Sequence, residues 1–460
     1  MASTALTKTF GSASSASDRY KFTFSTWFKR GTAGDNDYLF GHQSSSGAND
    51  FAIRLDKDSG NSILRVYDYQ SNSYNFHKQT SRFFRDHSAW YHLVVKIDTT
   101  QSSASDRVKI YINGTEETSF GTSVDPSQNL SIYAFSNTGR PTVIGGRYTS
   151  SLQAANYFDG SLTHTNCCIG YAYDASSFGE SDSVSGIWKP KTAPSVTYGS
   201  NGFFLKFENS GAMGTDSSGN SNTFTVNGTL TQNVDTPSNN FATMNSLDNY
   251  IASGTFANGN NTVTTVNTGY TYNTATMGFN KGKWYWECKW SAQPTGSTNQ
   301  VLIGIAKRTS PSTTTWLGSV AYTYAYQGTG TVHNSDTTIA TYTTMSVGDI
   351  IGVALDLDNN RLYFSKNGTW QGSSDPANGT NPISITAPDS TSGDSGFYFP
   401  AFGDGNNNLQ ETGQFNFGQG YFGTTSVASA NADANGNGIM EYSVPSGYYT
   451  LNTKNIKEFG

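Results

Sequence analysis

Short segments of alternating apolar and polar residues, each ended by Asn-Gly, constrain the fold of this 460-residue chain most strongly. In the sequence RVKIYINGT at 107–115, every second residue from Val108 to Ile112 is apolar, which gives an extended segment one apolar face. Asn113-Gly114 then supplies the two residues that take positive φ in a type I′ hairpin turn. The sequence RLYFSKNG at 361–368 ends in the same way. The pattern predicts antiparallel β-hairpins in both halves of the chain.

Composition excludes the main alternatives to an all-β chain. Aromatic residues make up 14%, which is far too many for a disordered chain, and the residues typical of long helices are scarce. Collagen's Gly-X-Y period is missing, and no run of 18 apolar residues predicts a membrane-spanning helix. We therefore predict an all-β protein with two antiparallel β-sandwich (jelly-roll) domains and very little helix.

Charge, termini and cysteines restrict the class further. The formal charge is −6 and the basic residues are scattered, which argues against binding to nucleic acid. The opening MASTALTK lacks an apolar core, so we expect no secretory signal peptide, and no membrane insertion. Cys167, Cys168 and Cys288 are expected to be buried or half-buried thiols, because adjacent cysteines rarely pair and no CxxC spacing occurs.

Five motifs follow one another within residues 1–180. They are FSTW at 24–27, WYHL at 90–93, IYING at 110–114, VIGG at 143–146 and YFDG at 157–160. In this order they resemble a laminin G-like, concanavalin A-like jelly roll. The resemblance implies two antiparallel sheets packed face to face, with loops at one rim that bind glycans or proteins and that hold calcium in some members.

A second set of motifs lies within residues 250–422. It comprises GKWYWE at 282–287, IGIA at 303–306, GVALD at 352–356, LYFSKNG at 362–368, FPAF at 399–402 and NFG at 416–418. This set resembles a SPRY domain. The resemblance implies a β-sandwich that serves as a binding module and has no known catalytic activity of its own.

The remaining segments are a predicted connector with one or two strands at 181–249 and a C-terminal tail at 423–460. The motifs IWKP at 187–190, GFFL at 202–205, DSSGN at 216–220 and PSGYYTLNTKN at 445–455 resemble segments of structural proteins of marine bacteriophages. In those proteins jelly-roll and SPRY-like modules occur together in tail fibres or on the head surface. The resemblance implies a virion location after assembly in the host cytoplasm, a homo-oligomer, and other virion proteins as partners.

Catalysis finds no support in the sequence. Glycan hydrolases on this fold need two carboxylates on one strand face, typically in an E-x-D-x-x-E pattern, which is absent. Glu116 and Glu117 are adjacent and so face opposite ways, whereas Asp356 and Asp358 fit a turn. No G-x-S-x-G elbow and no histidine metal cluster occurs. We predict no catalytic residue, no metal and no cofactor.

Two groups of carboxylates are candidate calcium ligands. The sequence DANGNG at 433–438 matches the first half of a calcium-binding loop, but position 12 is Val444 instead of the bidentate Glu. A plain linker is the alternative at Asp433. A second candidate calcium site in the rim loops of the first domain would use Asp35, Asp37 and Asp50.

Aromatic residues in the second domain are the candidate ligand-binding groups. Trp316, Tyr322, Tyr324 and Tyr326 lie in and after a Thr-rich loop, and Trp370 follows the Asn367-Gly368 turn. Residues 322, 324 and 326 share one face of a strand, which is either a ligand surface or the core. In SPRY domains the corresponding loops form the ligand face, which favours Trp316 and Trp370.

These observations predict a non-enzymatic structural and binding component on the exterior of a bacteriophage virion, as a tail fibre, head fibre or decoration protein. Its expected ligands are host-surface polysaccharide or neighbouring virion proteins. A cell-encoded glycan-binding adhesion protein is the alternative, and a polysaccharide depolymerase is the third.

Overall fold

The computed structural model describes residues 4–31, 36–44, 47–58, 61–153, 156–183, 186–248, 254–270, 272–294, 299–388, 395–406 and 408–460. The chain divides into two compact units, Met1–Gln232 and Asn233–Gly460. Both are antiparallel β-sandwiches, and α1 (Thr453–Phe459) is the one α-helix of the described residues. The predicted all-β fold with very little helix is confirmed. No helix within these ranges is long and apolar enough to cross a membrane.

Sixteen strands of the described residues belong to the first unit. They are β1 (Ala5–Lys8), β2 (Lys21–Arg30), β3 (Asn36–Gln43), β4 (Asp50–Asp58), β5 (Asn61–Gln70), β6 (Ser73–Thr80), β7 (Trp90–Asp98), β8 (Val108–Ile112), β9 (Thr115–Glu116), β10 (Phe120–Val124), β11 (Thr142–Ile144), β12 (Gly160–Ile169), β13 (Gly179–Ser181), β14 (Trp188–Pro190), β15 (Phe203–Leu205) and β16 (Thr225–Asn227).

Two sheets form the first sandwich. Sheet I has the strand order β10-β6-β5-β4-β3-β11-β1-β16, and sheet II has the order β15-β12-β2-β7-β8-β9. Their inner faces meet in an aromatic core, in which the Phe40 ring of sheet I lies 5.7 Å from Phe22 and 5.4 Å from Phe24 of sheet II. The predicted β8–β9 hairpin is present, with φ of 50° at Asn113 and 82° at Gly114.

Much of the predicted connector is part of this first sandwich. Strand β15 pairs with β12 at the edge of sheet II, and β16 pairs with β1 at the edge of sheet I. The β13–β14 hairpin brings Trp188 against the outer face of sheet II, where Val94, Cys168 and Phe204 are buried. Cys167, Cys168 and Cys288 are buried free thiols, as predicted.

The second unit contains the remaining strands of the described chain. They are β17 (Thr255–Ala257), β18 (Thr262–Thr264), β19 (Tyr272–Thr274), β20 (Lys283–Ala292), β21 (Val301–Ala306), β22 (Thr323–Gln327), β23 (Thr331–Asn334), β24 (Thr337–Thr341), β25 (Ile350–Asp356), β26 (Arg361–Lys366), β27 (Thr369–Trp370), β28 (Ile383–Ser384), β29 (Phe399–Asp404), β30 (Thr412–Asn416), β31 (Tyr421–Phe422), β32 (Thr425–Ser426) and β33 (Tyr449–Thr450).

Sheets III and IV form the second sandwich. Sheet III follows the order β17-β18-β30-β20-β25-β26-β27, with β28 beside β26 and β33 beside β20, and sheet IV follows β19-β29-β21-β22-β23-β24. Alternation along β20 directs Trp284, Trp286 and Trp290 into the core between the sheets. Tyr285 and Glu287 of the same strand therefore face outward from sheet III.

The C-terminal tail covers this outer face of sheet III. Met440 and Tyr448 are buried there against Tyr285 and Tyr363. Glu287, fully buried, holds the tail because Oε1 accepts hydrogen bonds from the Tyr285 hydroxyl (3.0 Å) and the backbone N–H of residue 442 (2.8 Å). Its Oε2 accepts from the backbone N–H of residue 441 (2.9 Å) and from Asn416 Nδ2 (3.3 Å). The tail is thus a layer of the second unit.

Removing the Glu287 carboxylate should release the tail. Each buried donor left without a partner costs about 1–3 kcal/mol, so Glu287→Ala is expected to lower the free energy of unfolding by several kcal/mol. Urea denaturation measures this loss, and limited proteolysis should show earlier cleavage after residue 423. Glu458→Gln, an exposed position with one side-chain bond to Asn435, is the control and should match the parent. An uncut tail in Glu287→Ala would contradict this account.

Candidate functional site

The outer face of sheet I carries an array of aromatic, charged and amide side chains. Because a bulge between Tyr38 and Phe40 resets the alternation, Tyr38 lies opposite Arg54 on this face while Phe40 enters the core. Arg54 lies opposite Arg65 on the next strand. We call this array the tyrosine–arginine face; its members are Tyr38, Gln43, Asp50, Arg54, Asp56, Arg65, Tyr67, Tyr69, Tyr74, His77 and Arg147.

A chain of hydrogen bonds crosses the centre of the tyrosine–arginine face. The Tyr67 hydroxyl donates to Asp50 Oδ2 (2.7 Å), and it lies 3.2 Å from the Tyr38 hydroxyl. Since Tyr67 has one hydroxyl proton, Tyr38 donates to Tyr67, and Arg54 Nη1 donates to the Tyr38 oxygen at 2.8 Å. The Arg54 guanidinium also lies 5.3 Å and 5.4 Å from the centroids of the two tyrosine rings. The array is therefore held in one arrangement.

Ion pairs and amide bonds fix the charged members. Asp56 pairs with Arg54 Nε (2.7 Å) and with Arg65 Nη1 (3.0 Å). Gln43 Nε2 donates to Asp50 Oδ2 (2.6 Å), and Arg147 Nε donates to Gln43 Oε1 (3.1 Å). Burial raises the pKa of Asp50, against the lowering effect of its bonds from Tyr67 and Gln43. Within the described residues, Asp50 Oδ1 is buried without a hydrogen-bond partner.

Aromatic rings extend this face to solvent at the β5–β6 hairpin. Tyr74 is 45% exposed and stacks on His77, with ring centroids 4.8 Å apart and an angle of 17° between the planes. Tyr69 packs edge-on against Tyr74 at 5.0 Å. Burial lowers the pKa of His77 to about 4, so this ring is neutral at pH 7. One face of the Tyr74 ring is thus exposed to solvent, while the other packs on the uncharged His77 ring.

The predicted site residues of the second unit do not form one cluster. Trp316 is half-buried against the outer face of sheet IV, where its ring meets His333 edge-on at 5.2 Å. Tyr322 is half-buried beside the Arg308 guanidinium, which lies 4.2 Å from the ring centroid and donates to the hydroxyl at 2.6 Å. Trp370 packs against Tyr285 on the outer face of sheet III, on the opposite side of the sandwich.

Tyr324 and Tyr326 lie in the core of the second sandwich. They are 4% and 0% exposed and pack between the two sheets, and the Tyr326 ring lies 5.6 Å from Phe364. Alternation places them inward because Ala325, between them, packs on the outer face with Leu317. The shared face predicted for these tyrosines is therefore the core face, the alternative left open by the sequence.

The loop that begins at Asp433 uses its carboxylate within the fold. Asp433 Oδ1 accepts the backbone N–H groups of residues 435 and 437, both at 3.0 Å. Asp433 Oδ2 accepts from the Thr450 N–H (3.0 Å) and hydroxyl (2.7 Å) and from Asn455 Nδ2 (2.7 Å). These bonds connect the loop to β33 and to the N-terminus of α1. Asp433 therefore has a structural role in this linker.

Asp37 and Asp50, two of the three carboxylates predicted as candidates for a rim site, lie apart. Asp37 lies in β3 and is 3.8 Å from Arg30, whereas Asp50 begins β4 at the other end of the same strand pair. Asp35 lies outside the described residues. Asp356 and Asp358 serve the turn after β25, since Asp356 accepts from the N–H of residue 359 and Asp358 from that of residue 282. In the described ranges, no three His, Cys, Asp or Glu side chains form a metal cluster.

The tyrosine–arginine face was not predicted from the sequence, because its members come from four strands and one loop. One local signal exists, since Asp50, Arg54 and Asp56 share a parity within β4, and Arg65 and Tyr67 share one within β5. A polar stripe of period 2 in an otherwise apolar strand marks an outer face. Only strand pairing brings Tyr38 and Arg147 to that stripe.

Comparison with known families gives two matches, one in each unit. Residues 7–166 match the concanavalin A-like lectin/glucanases superfamily, and residues 283–420 match the SPRY domain. No curated protein matches the sequence significantly.

Three solved structures match parts of the chain at low sequence identity. The SPRY domain of human HERC1 is 17% identical with a TM-score of 0.29, and the match covers 35% of this chain and 91% of that domain. Stonustoxin is 18% identical with a TM-score of 0.27, covering 38% of this chain and 27% of its own. A heptameric pentraxin from Limulus polyphemus is 15% identical with a TM-score of 0.27, covering 37% and 71%. By the two family matches, the chain combines a laminin G-like, concanavalin A-like domain with a SPRY domain that follows it.

Proposed function

We propose that this protein is a non-enzymatic structural and binding component on the exterior of a bacteriophage virion, and that its tyrosine–arginine face binds glycans of the host surface. One observation carries the glycan assignment: an outer sheet face presents aromatic, guanidinium, carboxylate and amide groups already locked together by hydrogen bonds. The two domain families are consistent with binding, since both are β-sandwiches of the type used by lectins and binding modules.

Sugar recognition requires a flat apolar surface beside fixed polar groups. Tyr74 supplies the surface, because a sugar ring can stack its C–H groups on the exposed side of the phenol. Arg147 supplies donors, since its terminal nitrogens make no hydrogen bond within the described part of the chain. The bonds among Tyr38, Tyr67 and Asp50 hold the floor in place before a ligand arrives, so that little side-chain entropy is lost on binding.

Charge favours an acidic glycan. The face carries three guanidinium groups, of Arg54, Arg65 and Arg147, against two carboxylates, of Asp50 and Asp56, which leaves one net positive charge in a chain of formal charge −6. Guanidinium groups match carboxylates in shape and can donate two parallel hydrogen bonds to one. A polysaccharide with uronic or other acidic sugars is therefore the best-matched ligand class.

The virion assignment rests on the segments outside the two matched domains. The motifs at 187–190, 202–205, 216–220 and 445–455 resemble those of bacteriophage structural proteins, and the low content of charged residues, 13%, suits a surface that packs against neighbouring subunits. Other virion proteins and further copies of this chain are the proposed partners. Weak sites repeated on a particle gain avidity of about 10²–10⁴ over a single site.

Two other functions remain as alternatives. A cell-encoded adhesion protein would use the same face and would differ in where it is displayed. A depolymerase needs two carboxylates about 5–10 Å apart at a surface. Asp50 and Asp56, six residues apart on one extended strand, are separated by about 20 Å, which is too far for that chemistry.

The first test removes the ligand-contacting groups from the face. We expect Tyr74→Ala and Arg147→Ala each to weaken binding to acidic host polysaccharide by about 5–30-fold, because each removes roughly 1–2 kcal/mol of stacking or charged hydrogen bonding. Binding is measured by isothermal titration calorimetry, and particle adsorption by plaque assay. Binding of the parent should weaken as NaCl rises, since screening reduces the attraction between charges at a surface.

Matched controls come from the same unit. Tyr171, 40% exposed, and Arg85, exposed beside Phe83, lie outside the tyrosine–arginine face, and their alanine variants should bind like the parent. Trp316→Ala tests the candidate surface of the second unit. If Trp316→Ala abolishes binding while Tyr74→Ala and Arg147→Ala leave it unchanged, the glycan site is not on the tyrosine–arginine face.

A second test separates binding from catalysis. Prolonged incubation of the purified protein with the polysaccharide it binds should release no reducing ends and leave the chain length unchanged by size-exclusion chromatography. A steady release of reducing ends that scales with protein concentration would establish a depolymerase instead.

A further inference from the structure

Two carboxylates are buried together at one end of the second sandwich. Asp404 is the last residue of β29, Glu411 immediately precedes β30, and both side chains are 0% exposed. Thr265 connects them: its hydroxyl accepts the N–H of Glu411 (3.0 Å), its N–H donates to the Glu411 carbonyl (2.9 Å), and the hydroxyl lies beside Asp404. The tyrosine–arginine face lies in the other unit.

These carboxylates have few compensating partners. Trp290 Nε1 donates to Glu411 Oε2 at 2.7 Å. The Thr265 hydroxyl and the N–H of residue 406 lie near Asp404, and the N–H of residue 300 lies near Glu411, but in the described ranges no donor meets hydrogen-bond geometry at Glu411 Oε1 or at either oxygen of Asp404. All 28 lysines and arginines lie within those ranges, and none forms an ion pair with either carboxylate. By contrast, the two oxygens of buried Glu287 receive four hydrogen bonds.

Both groups resist ionisation when nothing else is bound. Burial raises the pKa of Asp404 to about 7, against the lowering effect of the Thr265 hydroxyl and the N–H of residue 406, and the nearby Glu411 adds to the rise. Burial likewise raises the pKa of Glu411 to about 7, against the lowering effect of the Trp290 bond and the N–H of residue 300. Buried carboxylates without counter-charges are strongly unfavourable, so the pair needs either a proton or a cation.

We propose that Asp404, Glu411 and the Thr265 hydroxyl bind one divalent cation of the calcium type. The unpartnered atoms are all oxygens, which are the ligands of Ca²⁺, and the three residues offer four of the six to eight that Ca²⁺ takes. Two to four further oxygen ligands would complete the coordination shell. The absence of His and Cys from the set disfavours Zn²⁺.

A bound cation would join the two sheets at this end of the sandwich, because Asp404 belongs to a strand of sheet IV and Glu411 leads into a strand of sheet III. Its effect on stability depends on pH. Both pKa values are raised in the folded protein, so without metal the protonated pair favours folding. This contribution to the free energy of unfolding is greatest below about pH 4 and is lost as pH rises through about 7. Stabilisation by Ca²⁺ should grow over the same interval.

Terbium luminescence tests the site on the full chain. Trp290, hydrogen-bonded to Glu411, lies where an excited indole transfers energy to a bound Tb³⁺, so that excitation near 295 nm should produce green emission that Ca²⁺ displaces. Asp404→Asn and Glu411→Gln, which preserve shape and remove one charge each, are expected to weaken Tb³⁺ binding at least 10-fold. Trp316→Phe, on the outer face of sheet IV, should leave the emission unchanged and serves as the control.

Thermal unfolding shows whether any loss of binding is specific. At pH 8 without metal, Asp404→Asn should melt at or above the parent temperature, because the repulsion between the two carboxylates is gone. Calcium at 5 mM should raise the Tm of the parent at pH 8 more than at pH 5.5, and should not change that of the variant. If the parent binds neither ion and its Tm falls between pH 5.5 and 8 regardless of Ca²⁺, the pair shares a proton and the proposal is wrong. Unchanged Tb³⁺ binding in both variants would also overturn it.

Discussion

In both sandwiches, each sheet has two faces, and both faces must be shielded from water. The strands of sheets II, III and IV are apolar on both sides, so a pair of sheets alone would leave large apolar areas in water. Chain segments outside the paired strands solve this problem: the region around Trp188 covers sheet II, the loop with Trp316 and Leu317 covers sheet IV, and the C-terminal tail covers sheet III. The outer face of sheet I is different, since tyrosines and guanidinium groups complete it. This difference singles out sheet I as the candidate binding surface.

The sequence was most informative where the interactions are local. Alternation and Asn-Gly turns predicted hairpins such as β8–β9 because register follows from a two-residue turn. Pairing across long separations left no comparable signal: β15 and β16 are three residues long, and their partners, β12 and β1, lie far away in the sequence. For the same reason the connector and the tail looked like separate segments, whereas the structure assigns their strands to the sandwiches.

The candidate sites also depend on contacts between distant segments, which the sequence does not predict. Parity correctly grouped Tyr324 with Tyr326, but parity cannot tell a core face from a ligand face, and the packing of Ala325 under Leu317 decides that question. The tyrosine–arginine face needs a bulge after Tyr38 and a loop that brings Arg147 across the sheet, and neither is encoded in a recognisable motif. The pairing of Asp404 with Glu411 likewise depends on how β29 and β30 are placed in opposite sheets.

In a chain with few charges each buried charge needs a compensating contact, and Glu287, Asp404 and Glu411, all 0% exposed, differ in how well they are compensated. Glu287 receives four hydrogen bonds and thereby fixes the tail, which explains its presence without any ligand. At Asp404 and Glu411 one donor, Trp290 Nε1, meets hydrogen-bond geometry within the described ranges, so this pair is held by fewer hydrogen bonds than Glu287. Replacing such a pair by apolar residues of similar volume would often stabilise a fold. The pair therefore needs a proton or, as we propose, a divalent cation, and the cation would connect sheets III and IV at this end of the second sandwich.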